Sequence, residues 1–449
     1  MSRSGPGGER RLLMLGADRR ALHAVRDRDD LDVTVLYGPD QKDAGRAPST
    51  ARGDAIFVED TGDPATVLAG LSRADRPLET FDGVYTKDER LVVTAALLAE
   101  VLHAGTGAAR TAVLFRDKAL QKRCVRAAGL PAADFRVVDD IRDLDAGRYA
   151  SFLPAVAKPV AGSGTRATRL LGDVAQLDAF AAEQRRAGSG WRTFVLEEPQ
   201  RGQEWTYDGI CFEGRVVFGA LGRYDHSCLS ALSAGKPYRM FKYGRHLAAE
   251  QYAAAEPLAA AALAALGLRS GVFHMELFRD PDTGTFVFSE CAARRGGALT
   301  YEQVLHQFGV DLAAAAVDCA LGRKPDLTTQ WERGGVSGMS FLPAPGGCLT
   351  TCPDAAEIAA RPGVVYAQVE VPAGAVLPES ATDLFGHKLG QVMAFGPDQD
   401  TVSATLDDVV TWFRGRTRAL PAHGDLARLR AGAEADGFVF EYGPTGVRE

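Results

Sequence analysis

The 449-residue chain has few cysteines, no long apolar run and no excess of positive charge. Seven cysteines are an odd number without the close spacing of a small disulfide-bonded domain, so a disulfide framework does not organise the fold. Cys348 and Cys352 have three residues between them, and no second pair or adjacent histidine completes a metal set. The opening MSRSGPGGERR is polar, and only LLML follows before Gly16. Neither a signal-peptide core nor a spanning helix is expected there, because both need longer apolar runs. Lys and Arg number 51 against 58 Asp and Glu, a formal charge of -7 that gives no global reason to coat nucleic acid or an anionic membrane. The expectation is a soluble, cytoplasmic protein with neither partner.

Hydrophobic residues make up 46% of the chain and charged residues 24%, which excludes disorder as the default. Residues 12–15, 31–36, 55–58 and 83–85 are short apolar runs separated by helical pattern, and 91–102 is an Ala- and Leu-rich helix ended by Gly105 and Gly107. That alternation predicts a parallel sheet with helices on its faces. It carries no dinucleotide fingerprint, since only Gly16 follows the first strand where GxGxxG would be required.

Asp117 suits the start of a helix over 117–128, where its carboxylate accepts otherwise orphaned N–H groups; Gly129 and Pro131 end it. Beyond 154 the pattern turns α+β, with strands at 155–160, 193–197, 205–212 and 215–220, a helix near 173–187 and a tight turn at Glu213 and Gly214. From 224 to 246 periodicity is lost, which predicts a long loop of the kind that carries function. A helix over 249–265, a hairpin turning at 281–284, strands at 364–371 and 391–394, a helix over 406–414 and a weakly patterned tail from 424 follow.

The hairpin is the most informative segment. Alternation puts His274, Glu276 and Phe278 on one face of its first strand, and Phe288, Glu290, Ala292 and Arg294 on one face of the return. A five-residue loop, 281–285, sets Glu290 opposite Glu276, whereas a one-residue slip would separate them onto opposite faces. Two carboxylates about 5 Å apart at Cβ repel and call for a shared proton, solvent or a cation. Mg²⁺ with phosphate ligands meets that need. Arg294 adds an anion-binding donor, and Gly296 and Gly297 let backbone approach a bulky ligand. Lys158 precedes the loop AGSGT at 161–165, whose backbone N–H groups suit phosphates, although no Gly-Lys-Ser/Thr makes it a Walker A motif.

In order along the chain, FRDK at 115–118, AKPVAGSGT at 157–165, FVLEEPQRGQEWTYDG at 194–209, GVFHMELF at 271–278 and SECAARRGG at 289–297 resemble the ATP-grasp superfamily. The resemblance implies an α/β and α+β multidomain protein. Residues 1–112 would form an N-terminal α/β pre-grasp domain and 113–330 the grasp core, with a small lobe about 150–200 and a large lobe about 201–330. A C-terminal α+β extension would occupy 331–423 and a tail 424–449. Lys118 and Lys158 look like the phosphate-contacting lysines, and the loop with Ser163, Gly164 and Thr165 like the cover of the triphosphate. Glu197 or Glu198 looks like the adenine-binding hinge, and Glu204 like the ribose-contacting acid. Glu276 and Glu290 look like the Mg²⁺ ligands, and Arg294 like the residue that steadies the acyl phosphate or tetrahedral intermediate. Where the family has a further ligand, Asn, this chain has Ala292. Either Glu290 binds bidentately with water in the vacancy, or a second Mg²⁺ is held more weakly.

Residues 387–413 are similar to the extra domain of the amino-acid ligases. The implied activity is ATP-dependent carboxylate–amine ligation through an acyl phosphate, with at least one amino-acid substrate. The alternatives are a ligase for a non-amino-acid carboxylate and a nucleotide-binding regulatory or scaffold protein. ATP and Mg²⁺, with Mn²⁺ as a tolerated substitute, are the implied cofactors; a small carboxylate and an amine are the partners, and a homodimer is the expected assembly. The 224–246 loop is a candidate lid, and His226, Arg239, Arg245 and His274 join Gly296 and Gly297 as candidate substrate contacts.

Overall fold

The computed structural model describes residues 9–42, 53–102, 109–188, 190–233, 236–377 and 388–420. Gly105, Gly107 and the tail from 424 lie outside them.

The first layer holds strands β1 (Arg10–Leu15), β2 (Leu31–Tyr37), β3 (Ala55–Phe57) and β4 (Gly83–Tyr85), with helices α1 (Arg19–Ala24), α2 (Pro39–Lys42), α3 (Pro64–Arg73), α4 (Val92–Leu102) and α5 (Ala109–Arg116). The strands pair in parallel in the order β3-β2-β1-β4, as their unbroken apolar runs predict. The inner strand β1 is buried on both sides. Leu13 and Leu15 pack with Val67, Leu71 and Leu98. Leu12 and Met14 pack with residues of the next layer, including Val304, Phe308 and Val317.

Helix α6 (Lys118–Ala127) is capped by Asp117, whose side chain accepts from the N–H groups of Ala119 and Leu120. The small lobe follows: β5 (Phe135–Val138), β6 (Ala155–Pro159), β7 (Arg169–Leu171), α7 (Val174–Arg186) and β8 (Phe194–Glu197). Its strands pair antiparallel in the order β5-β8-β6-β7.

The large layer contains β9 (Gln203–Phe212), β10 (Arg215–Tyr224), α8 (Cys228–Ser233), β11 (Arg239–Tyr243), α9 (Ala249–Leu266), β12 (Gly271–Arg279), β13 (Phe286–Ala292), α10 (Thr300–Phe308), α11 (Leu312–Ala320) and β14 (Val336–Pro343). Then come β15 (Gly347–Thr351), α12 (Ala355–Ala359), β16 (Val364–Val369), β17 (Val376–Leu377), β18 (Lys388–Gly396), α13 (Gln399–Arg416) and β19 (Arg418–Leu420). Eight of these strands form one sheet in the order β13-β12-β9-β10-β11-β14-β18-β16, and β17-β15-β19 form a small separate sheet. One face of the large sheet carries Trp205, Tyr207, Phe241, Met275, Leu277 and Phe288 against the apolar sides of α9 and α13. The other face is divided. At one end Ile210, Ala220 and Val272 pack under α10, α11 and the first layer. At the other end Tyr224, Met240, Met339 and Met393 form a second apolar patch. Polar residues fill the strip between them.

Two expectations are corrected here. The stretch 224–246 is not a structureless loop: it folds into α8 and β11, and β11 lies inside the large sheet between β10 and β14. Its pattern was obscured because the strand buries Lys242 and pairs Arg239 with Asp407 of α13, so both charges interrupt an apolar alternation. A lid over 224–246 is therefore ruled out for residues 239–243. The large sheet also crosses residue 330 without a break, since β14, β16 and β18 from the C-terminal stretch continue it. Among the described residues no helix is long and apolar enough to cross a membrane.

Candidate active site

The register of β12 and β13 decides the geometry. Arg279, Phe278 and Leu277 pair with Phe286, Val287 and Phe288, and then Glu276 pairs with Glu290. Ser289 is thus an extra residue, a bulge that shifts the register by one. Without it Glu276 would face Ser289. The bulge sets the two acids opposite one another and sends Phe288 to the far face, where it is buried in the core; the expectation that Phe288 shares the face of Glu290 is corrected accordingly.

Helix α6 holds the bulge in place. The side chain of Gln121 donates to the Cys291 carbonyl at 2.8 Å and accepts from the Cys291 N–H at 2.8 Å, as a neighbouring strand would. The Lys122 ammonium donates to the Ser289 carbonyl. Phe288 N–H donates to the Pro131 carbonyl at 2.8 Å just beyond the helix. Strand β13 is the edge of the sheet, and α6 supplies the partners that an edge lacks.

Three lysines and two acids meet at this point. Lys118 Nζ donates to the Gly162 carbonyl at 2.8 Å and stands 3.4 Å from Glu290 Oε2. Lys158 Nζ is 2.9 Å from Glu197 Oε2 and 4.0 Å from Glu290 Oε2. Lys122 Nζ is 3.3 Å from Glu197 Oε1. Burial would push the Glu290 carboxyl up, but Lys118, Lys158 and Lys122 outweigh it and hold it down to about 2. Burial alone would lower Lys158, yet Glu197 and Glu290 keep it above the usual lysine range. Lys122, with burial dominant, falls below that range.

Glu276 is less well served. Its Oε1 is 3.4 Å from the Tyr224 hydroxyl and 3.5 Å from His274 Nε2. Glu204 accepts from the Cys228 N–H at 2.9 Å, and burial followed by the charge of Glu276 pushes its carboxyl up to about 8. A strip with three acids and long contacts around Glu276 and Glu290 suits a cation. Among the described residues no group of three His, Cys, Asp or Glu side chains is arranged to hold a metal ion. The donor set is therefore two carboxylates that need further oxygens from a ligand, which matches Mg²⁺ on a phosphate chain better than a protein cage.

The loop after β6 turns through left-handed residues, Gly164 with φ +65° and Thr165 with φ +61°, while Lys118 ties down its base at Gly162. The carboxylate of Glu197 is committed to Lys158 and Lys122, whereas Glu198 is exposed with its backbone N–H on the Asp134 carbonyl. Gly296 lies against Asp208, where a Cβ would stand 2.8 Å from Oδ1, and the Gly297 carbonyl accepts from the Thr300 N–H at 3.2 Å. His274 is in the strip, its Nδ1 2.7 Å from Asp208 Oδ1.

Three candidates are not brought to the acids. Arg239 and Arg245 face away from the strip, Arg239 paired with Asp407 at 2.6 Å and Arg245 with Glu256 of α9 at 2.6 Å. His226 sits 3.2 Å from the Lys236 ammonium at the surface.

Sequence reading missed Glu89, Asp18, Lys122 and Lys242. Arg294 donates from Nε to Glu89 at 3.1 Å, and Arg116 stands 3.2 Å from the same carboxylate. Arg295, fully buried, pairs with Asp18, which also accepts from the Tyr85 hydroxyl at 2.6 Å. Glu89 and Asp18 follow the carboxyl ends of β4 and β1, where parallel sheets commonly bind ligands; that position was the available signal.

No family model matches the chain. It is 21% identical over 335 residues, 74% of its length and 80% of the relative's, to the L-arginine-specific L-amino acid ligase of Bacillus subtilis. The crystal structure of L-amino acid ligase from Bacillus licheniformis superposes with a TM-score of 0.74 at 20% identity, covering 93% of this chain and 100% of that one. Carboxyaminoimidazole ribonucleotide synthase from Aspergillus clavatus, complexed with ATP, gives a TM-score of 0.68 at 17% identity over 90% of this chain and 99% of that one. The chain has the ATP-grasp fold, as do these two ligases.

Proposed function

We propose that the chain is an ATP-dependent ligase that joins a carboxylate to an amine, with an amino acid as at least one substrate. The observation that carries this reading is the convergence of Lys118 and Lys158, from α6 and the small lobe, on Glu290 opposite Glu276. Likeness to the L-amino acid ligases supports the substrate class.

Glu276 and Glu290 would hold Mg²⁺, which when bound neutralises charge on the phosphate oxygens. Lys118 and Lys158 neutralise the transferring phosphoryl group. The loop bearing Ser163, Gly164 and Thr165 covers the phosphates, the backbone near Glu197 and Glu198 meets the adenine, and Glu204 meets the ribose. A carboxylate oxygen of the first substrate attacks the γ-phosphorus and ADP leaves. The amine nitrogen then attacks the acyl carbon, loses a proton, and phosphate departs carrying that carboxylate oxygen. Arg294, oriented by Glu89, stabilises the charge that develops on the acyl oxygen.

Phosphate release from ATP and Mg²⁺ against a matrix of amino acids and small carboxylic acids, with mass spectrometry on each positive mixture, tests the reading. A product mass equal to both substrates less water, with ADP formed in step, is expected. ATP binding with no turnover in any mixture would instead favour a nucleotide-binding regulator, the reading that Ala292 supports through the donor it removes.

A further inference from the structure

Lys242, Asp208 and His274 make a charged line across the large sheet that ends at Glu276. Lys242 Nζ is 2.6 Å from Asp208 Oδ2 and 3.2 Å from Thr206 Oγ1. Asp208 Oδ1 is 2.7 Å from His274 Nδ1, and His274 Nε2 is 3.5 Å from Glu276 Oε1. Lys242 is on β11 and Asp208 on β9, so the lysine reaches over the intervening strand β10. It does so at Gly222, where a Cβ would stand 3.0 Å from the ammonium and 2.9 Å from Thr206 Oγ1. On the other side Gly296 closes down on Asp208, leaving no room for a Cβ. Two glycines and four strands are thus arranged around one ion pair.

Both Lys242 and Asp208 are completely buried. Against apolar side chains of the same volume, a buried ion pair of this kind is neutral or destabilising, so core stability does not account for the line. Direction does. By engaging Nδ1, Asp208 fixes the imidazole ring and leaves Nε2 facing Glu276, in the way that partners behind a ligand set the ligand's orientation.

We propose that Lys242 and Asp208 are positioning residues for Glu276, acting through the His274 ring. The proposal rests on the metal-holding role given above to Glu276. Lys242→Met alone leaves the Asp208 charge without its lysine, so the informative variant is the double Lys242→Met/Asp208→Leu, which removes both charges together. ATP affinity is measured by calorimetry with and without Mg²⁺, beside the thermal melting midpoint. The double variant is expected to melt near the parent and bind metal-free ATP equally well, while the gain in affinity that Mg²⁺ brings falls by about tenfold or more. An unchanged Mg²⁺-dependent gain overturns the proposal, and so does a double variant that fails to fold, which would make the line part of the core. A parent protein whose ATP affinity ignores Mg²⁺ overturns the metal role of Glu276, and the proposal with it.

Discussion

Glu276 and Glu290 are opposed on neighbouring strands, yet their surroundings differ. Glu290 is held ionised by lysines from outside the large sheet, while Glu276 meets the Tyr224 hydroxyl at 3.4 Å and the His274 ring at 3.5 Å. Glu290→Gln keeps the shape and removes the charge that Lys118 and Lys158 meet. Turnover should fall by about a hundredfold or more with the circular dichroism spectrum unchanged. Near-normal turnover would remove Glu290 from the chemistry. Glu204 carries a prediction in pH. Its folded carboxyl, pushed up to about 8, lies above the ordinary value of 4.5. Its contribution to stability is therefore full below the ordinary value and is lost as pH rises through the folded one. Glu204→Gln should melt like the parent in acid and above it at pH values past about 8. Parallel melting curves at every pH would show that the carboxyl is not strained.

The hairpin was legible as an element and in its pairing of Glu276 with Glu290, but the bulge within it was not. Its loop length and apolar alternation are local, and they placed both strands; the loop runs over 280–285 where 281–285 was expected, and the bulge makes up the one-residue difference that opposes Glu276 and Glu290. The bulge at Ser289 is not local, because it depends on Gln121 and Lys122 reaching across from α6. Gln121→Leu leaves the buried N–H and carbonyl of Cys291 unpartnered, a cost of about 1–3 kcal/mol. It should also lower turnover beyond what the lost stability explains, read from kcat at temperatures where the variant is fully folded. Loss of stability with kcat intact would separate the register from the chemistry. Strand β11 failed to show in the sequence for a related reason. Lys242 and Arg239 look like surface charges until Asp208 and Asp407, far off in the chain, are known to face them.

Across the whole molecule, the four parallel strands of the first layer and most strands of the grasp core are legible because both sheets carry uninterrupted or alternating apolar patterns. Their mutual attachment is not. Arg294 and Arg295, adjacent in sequence, reach back to Glu89 and Asp18 beyond the ends of β4 and β1, so the first layer braces the arginine of the site. Glu89→Gln should leave ATP affinity unchanged while raising KM for the carboxylate or lowering kcat, since it frees Arg294 without touching Lys118 or Lys158. An equal loss of ATP affinity would place Glu89 in the nucleotide site instead.

In the proposed reaction this strip of residues activates a carboxylate with the γ-phosphoryl group of ATP before an amine displaces it. The most direct measurement uses the carboxylate substrate labelled with ¹⁸O on both oxygens, followed by mass analysis of the phosphate released during ligation. One labelled oxygen per phosphate is the predicted result, because the oxygen that attacks phosphorus leaves with it. Unlabelled phosphate formed in step with the ligated product would contradict the account.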